Sequence, residues 1–406
     1  MSEVEKRPAA KPVKKKKEKW QKTRHYFSYG FMRIFFRVYV WAKMGYTAKL
    51  HKLDKKQGYL IVSNHQSFYD GYLVNMGFDR PIYVMAGDYM FNTGKPAERM
   101  NYWFAPIPKV KAGSDPASMI NTMRILKEGS CVLIFPEASR TYDGRMGEIP
   151  ESMGRFIKKM KVPVIIYNLV GCYSADPRWC GTQRRGKCEG IVKREISVEE
   201  LASMTEEEVM QALKEGLHVD ETTTKNRYRS KARAEYLERL LYVCPKCGKF
   251  STLKSEGNYV SCTECGLKAE YTETTTFEFE NFDTDITNVA DWVAWQDERL
   301  EEFDNFDGVI FCDENVNIET CDRNVLRQNL GTGRIEIDRN EMRIICPNET
   351  YRFSHDEFTI ISPIGWTKIL FSTRHGSFMI NGPKLFNPYK YVKLIYRITG
   401  NPDQVR

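Results

Sequence analysis

Four continuous apolar runs are spread through the first half of the chain: Tyr59–Ser63 (YLIVS), Ile82–Ala86 (IYVMA), Cys131–Phe135 (CVLIF) and Val162–Val170 (VPVIIYNLV). Runs of this length with no polar alternation describe strands covered on both faces, the condition of a parallel sheet between two helical layers. The helices come from the segments between and after them. Ser118–Lys127 and Ser152–Lys161 have helical periodicity, and Thr205–Leu217 (TEEEVMQALKEGL) opens with an N-cap threonine followed by glutamates. The expectation is an α/β domain over residues 25–222.

The charge is uneven. Residues 1–24 hold ten lysines and arginines against three glutamates, so this stretch carries seven of the eight net positive charges. It reads as a disordered basic tail suited to an anionic membrane surface, where each cation contributes about 1 kcal/mol. Tyr26–Trp41 (YFSYGFMRIFFRVYVW) follows, aromatic and apolar but interrupted by Arg33 and Arg37. A spanning helix needs about 20 apolar residues, and an arginine at mid-bilayer costs roughly 2.5–3.5 kcal/mol. A helix over 26–45 lying in the membrane interface, with both guanidiniums among head groups, avoids that cost. A secretory signal is not expected, and the protein is expected on the cytoplasmic face of a membrane, peripheral or monotopic.

The eleven cysteines include two close pairs, Cys244/Cys247 and Cys262/Cys265, each followed by a glycine. Four thiolates in this spacing predict a structural zinc ribbon over 242–272, in a reducing compartment. The loop between the pairs has few cations and aromatics, so no nucleic acid is expected as a partner. A charged linker helix is expected over 223–241. Residues 276–322 hold fifteen acidic residues and one arginine. The stretch includes a helix built on DWVAWQDERLEEF, and several short strands and a closing amphipathic helix (NPYKYVKLIYRI) complete residues 276–406. By architectural analogy this end is a small PH-like barrel.

Two polar turns follow buried strands. VSNHQSFYDG (Val62–Gly71) places His65 and Asp70 five apart, which only a turn can bring together. FPEASRT (Phe135–Thr141) is a proline-stiffened turn carrying Glu137, Ser139 and Arg140. Strand ends are where open α/β sheets hold ligands, and an arginine fork suits a phosphate. NHQSFYD fits the N-H-x4-D motif of the glycerolipid acyltransferases, the family of 1-acylglycerol-3-phosphate acyltransferase, and FPEASRT resembles their F-P-E-G-T-R-S block. FAPIPKVKAG, with Lys109 in the place of an arginine, and KVPVII resemble two weaker blocks.

This resemblance implies acyl transfer from an acyl-CoA or acyl-ACP thioester to the hydroxyl of a lysophospholipid. His65 would be the base, Asp70 its partner, and Lys109, Glu137, Ser139 and Arg140 the acceptor site. It puts Ala138 where the family has glycine. Two further readings stay open at this stage: an acceptor lipid without phosphate, and a non-catalytic adaptor docked on membrane.

Overall fold

The computed structural model describes residues 19–91, 93–110, 115–222, 224–322 and 326–400. The apolar runs form the centre of a seven-stranded sheet: β1 (Tyr46–Ala48), β2 (Leu60–Ser63), β3 (Ile82–Gly87), β4 (Ile107–Lys109), β5 (Cys131–Ile134), β6 (Val164–Val170) and β7 (Cys188–Ile196). Their order is β1-β7-β6-β2-β5-β3-β4, and only the β6–β7 pair is antiparallel. The helices are α1 (Thr23–Met44), α2 (Asp70–Met76), α3 (Lys95–Phe104), α4 (Pro116–Lys127), α5 (Ser152–Met160), α6 (Cys172–Ala175), α7 (Val198–Ser203) and α8 (Glu206–Leu217).

Side chains alternate across a strand, so each run feeds two cores. Leu60, Val62, Val132, Ile134, Val164 and Ile166 meet α4, α5 and α8 on one face. Ile61, Leu133, Ile165 and Leu169 meet α1 and α2 on the other. This explains why the runs carry no polar alternation. The short β1 and the half-exposed β7 lack such runs, and the sequence reading passed over both, as it did α3.

Three expectations need correction. Residues 1–18 of the basic tail lie outside the described residues, but 19–24 belong to the folded domain. Trp20 Nε1 donates to the Ala105 carbonyl at 3.0 Å, and Arg24 stacks 4.2 Å over the Tyr102 ring. The arginines of α1 turn toward protein, since Arg33 donates to the Phe78 carbonyl and Arg37 to that of Ala48. Phe27, Phe31, Ile34, Phe35 and Val38 are left on the outer face, each more than half exposed. Among the described residues no helix is long and apolar enough to cross a membrane.

Where a helix over 223–241 was expected, the described residues 224–241 form turns, with one short 3-10 turn at Leu237–Arg239. Tyr236 adopts φ +75°, which ends any helix there. Arg233 and Arg239, within the expected charged helix, are buried and donate to carbonyls of Tyr271, Ser230, Lys384 and Trp179. Tertiary partners override the local propensity.

The second half has two sheets. β8 (Leu253–Glu256), β9 (Tyr259–Cys262), β10 (Lys268–Tyr271) and β11 (Phe277–Phe279) form an antiparallel meander. After α9 (Val289–Glu298) come β12 (Phe311–Thr320), β13 (Asn329–Ile337), β14 (Glu341–Ile345), β15 (Thr350–Ser354), β16 (Ile360–Ile364), β17 (Lys368–Thr373) and β18 (Gly376–Asn381). These seven are antiparallel in the order β15-β14-β13-β12-β18-β17-β16, and α10 (Pro388–Thr399) closes the chain. One core joins both sheets, running from Leu253 and Tyr271 through Trp292 to Ile369 and Tyr391, and it takes in Trp179 from the first half.

Candidate active site

β2, β3, β4, β5 and β6 run parallel, so their carboxyl ends share one edge of the sheet. Beyond β2 the chain turns sharply. Asn64 makes this possible: its side-chain amide exchanges two hydrogen bonds with the Leu169 backbone, at 2.8 and 2.9 Å, and so replaces a peptide group of the ladder. The next four backbone N–H groups are each accepted by a buried carboxylate. Glu137 takes His65 (2.9 Å), Asp70 takes Gln66 (2.5 Å) and Ser67 (2.9 Å), and Asp176 takes Phe68 (3.0 Å). Charge-assisted bonds of this kind are about twice as strong as neutral ones, and here they lock a turn that has no ladder of its own.

The lock sets the histidine. His65 Nδ1 lies 2.7 Å from Asp70 Oδ2, and Asp70 is fully buried. The carboxylate accepts the Nδ1 proton and leaves Nε2 as the basic ring nitrogen, which no described residue hydrogen-bonds. The imidazole stacks on Phe135 at 4.2 Å and 14°, and its side chain keeps 22% exposure. Burial lowers its pKa from the usual 6.5; Asp70 opposes this, and Arg140 and Arg178 add to it. The ring is therefore neutral near pH 7 and able to take a proton.

The FPEASRT turn clasps His65 from both sides. Glu137 accepts the His65 N–H, and the Thr141 N–H donates to the His65 carbonyl at 3.0 Å. The second Glu137 oxygen accepts the Gly147 N–H at 2.8 Å. With both oxygens engaged and only 3% exposure, Glu137, expected in the acceptor site, braces the histidine turn. Burial pushes its pKa up to about 7, against the two amide bonds.

Ala138 takes φ +57°, so the turn needs the left-handed conformation that glycine gives freely. Ser139 Oγ is buried and has no hydrogen-bond partner. Arg140 lies over Phe68 at 5.9 Å, and among the described residues its guanidinium has no carboxylate partner. Lys109 ends β4 on the same edge, two strands from β5 and hence roughly 10 Å from its turn.

Sequence reasoning missed Asn64, Phe135, Asp176 and Arg178. The signal for the last two was present in Asp176-Pro177-Arg178, a polar proline turn shortly after the buried strand β6.

In the second half, the sulfurs of Cys244, Cys247, Cys262 and Cys265 all lie within 4.8 Å of one another. The Cys244–Cys265 and Cys247–Cys262 pairs are 3.6 and 3.8 Å apart. Tetrahedral zinc with bonds of about 2.3 Å places its sulfurs roughly 3.8 Å apart, so the donor set fits. Gly248 and Gly266 follow each pair at φ +72° and +66°, turning the chain around the cluster.

The family model described as Acyltransferase matches residues 47–168, which contain both turns. Two plant chloroplast proteins named 1-acyl-sn-glycerol-3-phosphate acyltransferase are similar to part of this chain. BAT2 of Brassica napus is 31% identical over 28% of this chain and 33% of its own length. LPAT1 of Arabidopsis thaliana is 31% identical over 34% of this chain and 39% of its own. Residues 47–168 carry an acyltransferase domain.

This domain spans between a third and two fifths of the length of those relatives. The crystal structure of the 1-acyl-sn-glycerophosphate (LPA) acyltransferase PlsC from Thermotoga maritima is 20% identical, with a TM-score of 0.38, and covers 47% of this chain and 76% of that one.

Proposed function

We propose that the protein is an O-acyltransferase that moves an acyl group from a thioester, on CoA or acyl carrier protein, to the hydroxyl of a lysophospholipid. The acceptor that fits best is 1-acylglycerol-3-phosphate, giving phosphatidic acid. One observation carries this reading: the 2.7 Å bond from His65 to a fully buried Asp70, which leaves Nε2 as the basic nitrogen, with Arg140 in the adjoining turn lacking a carboxylate partner among the described residues. Nε2 removes the acceptor proton as its oxygen attacks the thioester carbonyl. The C–S bond then breaks, and the imidazolium returns the proton to the departing thiolate, with Asp70 stabilising the charged ring throughout. Arg140, with Ser139 beside it and Lys109 along the edge, holds the phosphate.

The outer face of α1 is read as seated on a lipid surface, which would bring the acceptor's acyl chain near the domain. This fits a peripheral or monotopic protein on the cytoplasmic side of an anionic membrane. The cysteine cluster is read as a structural zinc ribbon, to be checked by elemental analysis for one zinc per chain. The seven antiparallel strands with α10 are read as PH-like in architecture, with no lipid role assigned. The adaptor reading gives no reason for a histidine held so closely.

The test incubates purified protein with labelled acyl-CoA and acyl carrier protein thioesters and a panel of lyso-acceptors, then identifies the product lipid. A labelled diacyl phospholipid is expected, and no acylated product from any pair would overturn the reading.

A further inference from the structure

The seven-stranded unit meets the acyltransferase sheet along its carboxyl edge, and guanidinium groups on backbone carbonyls build the seam. Arg178, in the turn after β6, is only 4% exposed. Its Nη1 donates to the Arg140 carbonyl at 3.1 Å, and its Nη2 and Nε donate to the carbonyls of Pro363 and Gly365, in the β16–β17 hairpin, at 2.5 and 3.3 Å. Its guanidinium lies 4.0 Å over Tyr142, whose ring packs on Tyr389 of α10 at 4.9 Å. Arg327 of the same unit donates to the Tyr89 carbonyl beyond β3 at 2.8 Å. The loops after β3, β5 and β6 are thus all held from the C-terminal side.

Burying a cation against carbonyls and a ring, with no carboxylate partner among the described residues, carries a desolvation cost that an apolar seam would not. An arginine does what an apolar seam cannot: its planar fork fixes carbonyls from two units in one geometry. The Arg140 peptide therefore takes its position from the β16–β17 hairpin. We propose that Arg178 is a positioning residue for acceptor recognition, and that the seven-stranded unit is through it a working part of the acceptor site. This rests on the acyltransferase reading above.

The test compares full-length protein with Arg178→Lys, which keeps the charge without the fork, and with Gly365→Ala from the other side of the seam. Gly365 has φ +57° and open space around its Cα, so alanine strains the turn without a clash. With acyl-CoA and 1-acylglycerol-3-phosphate, the acceptor KM should rise about tenfold in Arg178→Lys and less in Gly365→Ala, equivalent to one lost charge-assisted bond. The KM for acyl-CoA and its slow hydrolysis by water should stay within about twofold, because His65 and Asp70 are untouched. Amide hydrogen exchange across 138–141 should quicken in both variants, with β2 and β5 unchanged.

An acceptor KM within about twofold of wild type, or donor and acceptor constants rising together, would overturn the proposal. If the wild-type protein transfers no acyl group, the acyltransferase reading falls and the exchange measurement decides alone. Unchanged exchange in Arg178→Lys then overturns the coupling.

Discussion

The two turns at the carboxyl edge of the sheet are built on opposite principles. In the turn from Asn64 to Asp70, four successive N–H groups end on buried carboxylates, and the histidine is gripped at its ring, its amide and its carbonyl. In the turn from Phe135 to Thr141, Ala138 sits at φ +57°, and among the described residues Ser139 Oγ has no hydrogen-bond partner and the Arg140 guanidinium lies over the Phe68 ring without a carboxylate. On the proposed function, the difference separates the chemistry from the recognition. Proton transfer needs one fixed geometry and is satisfied within the chain. Binding an anionic group needs donors that the protein itself leaves unspent.

The sharpest way to break this comparison is to loosen the first turn. Asp70→Asn removes the acceptor for Nδ1 and one carboxylate from the lock. The rate of acyl transfer should fall roughly 10²- to 10⁴-fold, the usual share of a positioned base, while circular dichroism stays native. A loss under about tenfold would mean the ring needs no such partner. Removing the free donor of the second turn should do less, and differently. Arg140→Ala should weaken binding of a phosphate-bearing acceptor roughly 10- to 150-fold, about 1.5–3 kcal/mol, with the donor KM unchanged. An equal effect on the donor would move Arg140 out of the acceptor site.

The pH profile sharpens the first turn further. Burial lowers the His65 pKa below 6.5, so the acid limb of kcat/KM should have its midpoint below 6.5. Activity is lost as pH falls through that midpoint, because the imidazole then carries a proton. The stability contributed by a neutral His65 has the same sign, present above 6.5 and lost on acidification through the folded pKa. A midpoint above 6.5 would mean that Asp70 outweighs burial.

The smallest effect belongs to Ala138. A left-handed alanine costs about 1–2 kcal/mol, and glycine returns about 0.4–1 kcal/mol of that through the freer unfolded chain. Ala138→Gly should therefore stabilise the protein by about 0.5–1 kcal/mol in urea unfolding, with little change in rate. A destabilised variant would show that the turn is not strained in solution.

These turns also show how far the sequence could be read. That the His65–Asp70 turn and the Arg140 turn meet at one sheet edge was legible, because the buried runs set the strand ends and the motif resemblance singled out the two turns. The role of Glu137 was not legible. A carboxylate in an exposed-looking turn gives no sign that its two partners are backbone N–H groups, one of them 72 residues away. Asn64 standing in for a peptide group, and Arg178 bridging two units, are long-range facts that local pattern does not carry. The charged stretch 223–241 misled for the same reason, since its arginines find distant carbonyls. The four cysteines were the easy case, because two short spacings already define the cluster.

The central claim is that His65 takes the acceptor proton while Asp70 and Glu137 hold it in place. It is tested most directly by comparing wild type with His65→Ala in a full reaction of acyl-CoA with 1-acylglycerol-3-phosphate, following both phosphatidic acid and free CoA. The account predicts a labelled diacyl product from wild type, and a fall of roughly 10²-fold or more in His65→Ala with the native fold kept. Phosphatidic acid formed by His65→Ala at close to the wild-type rate would contradict it.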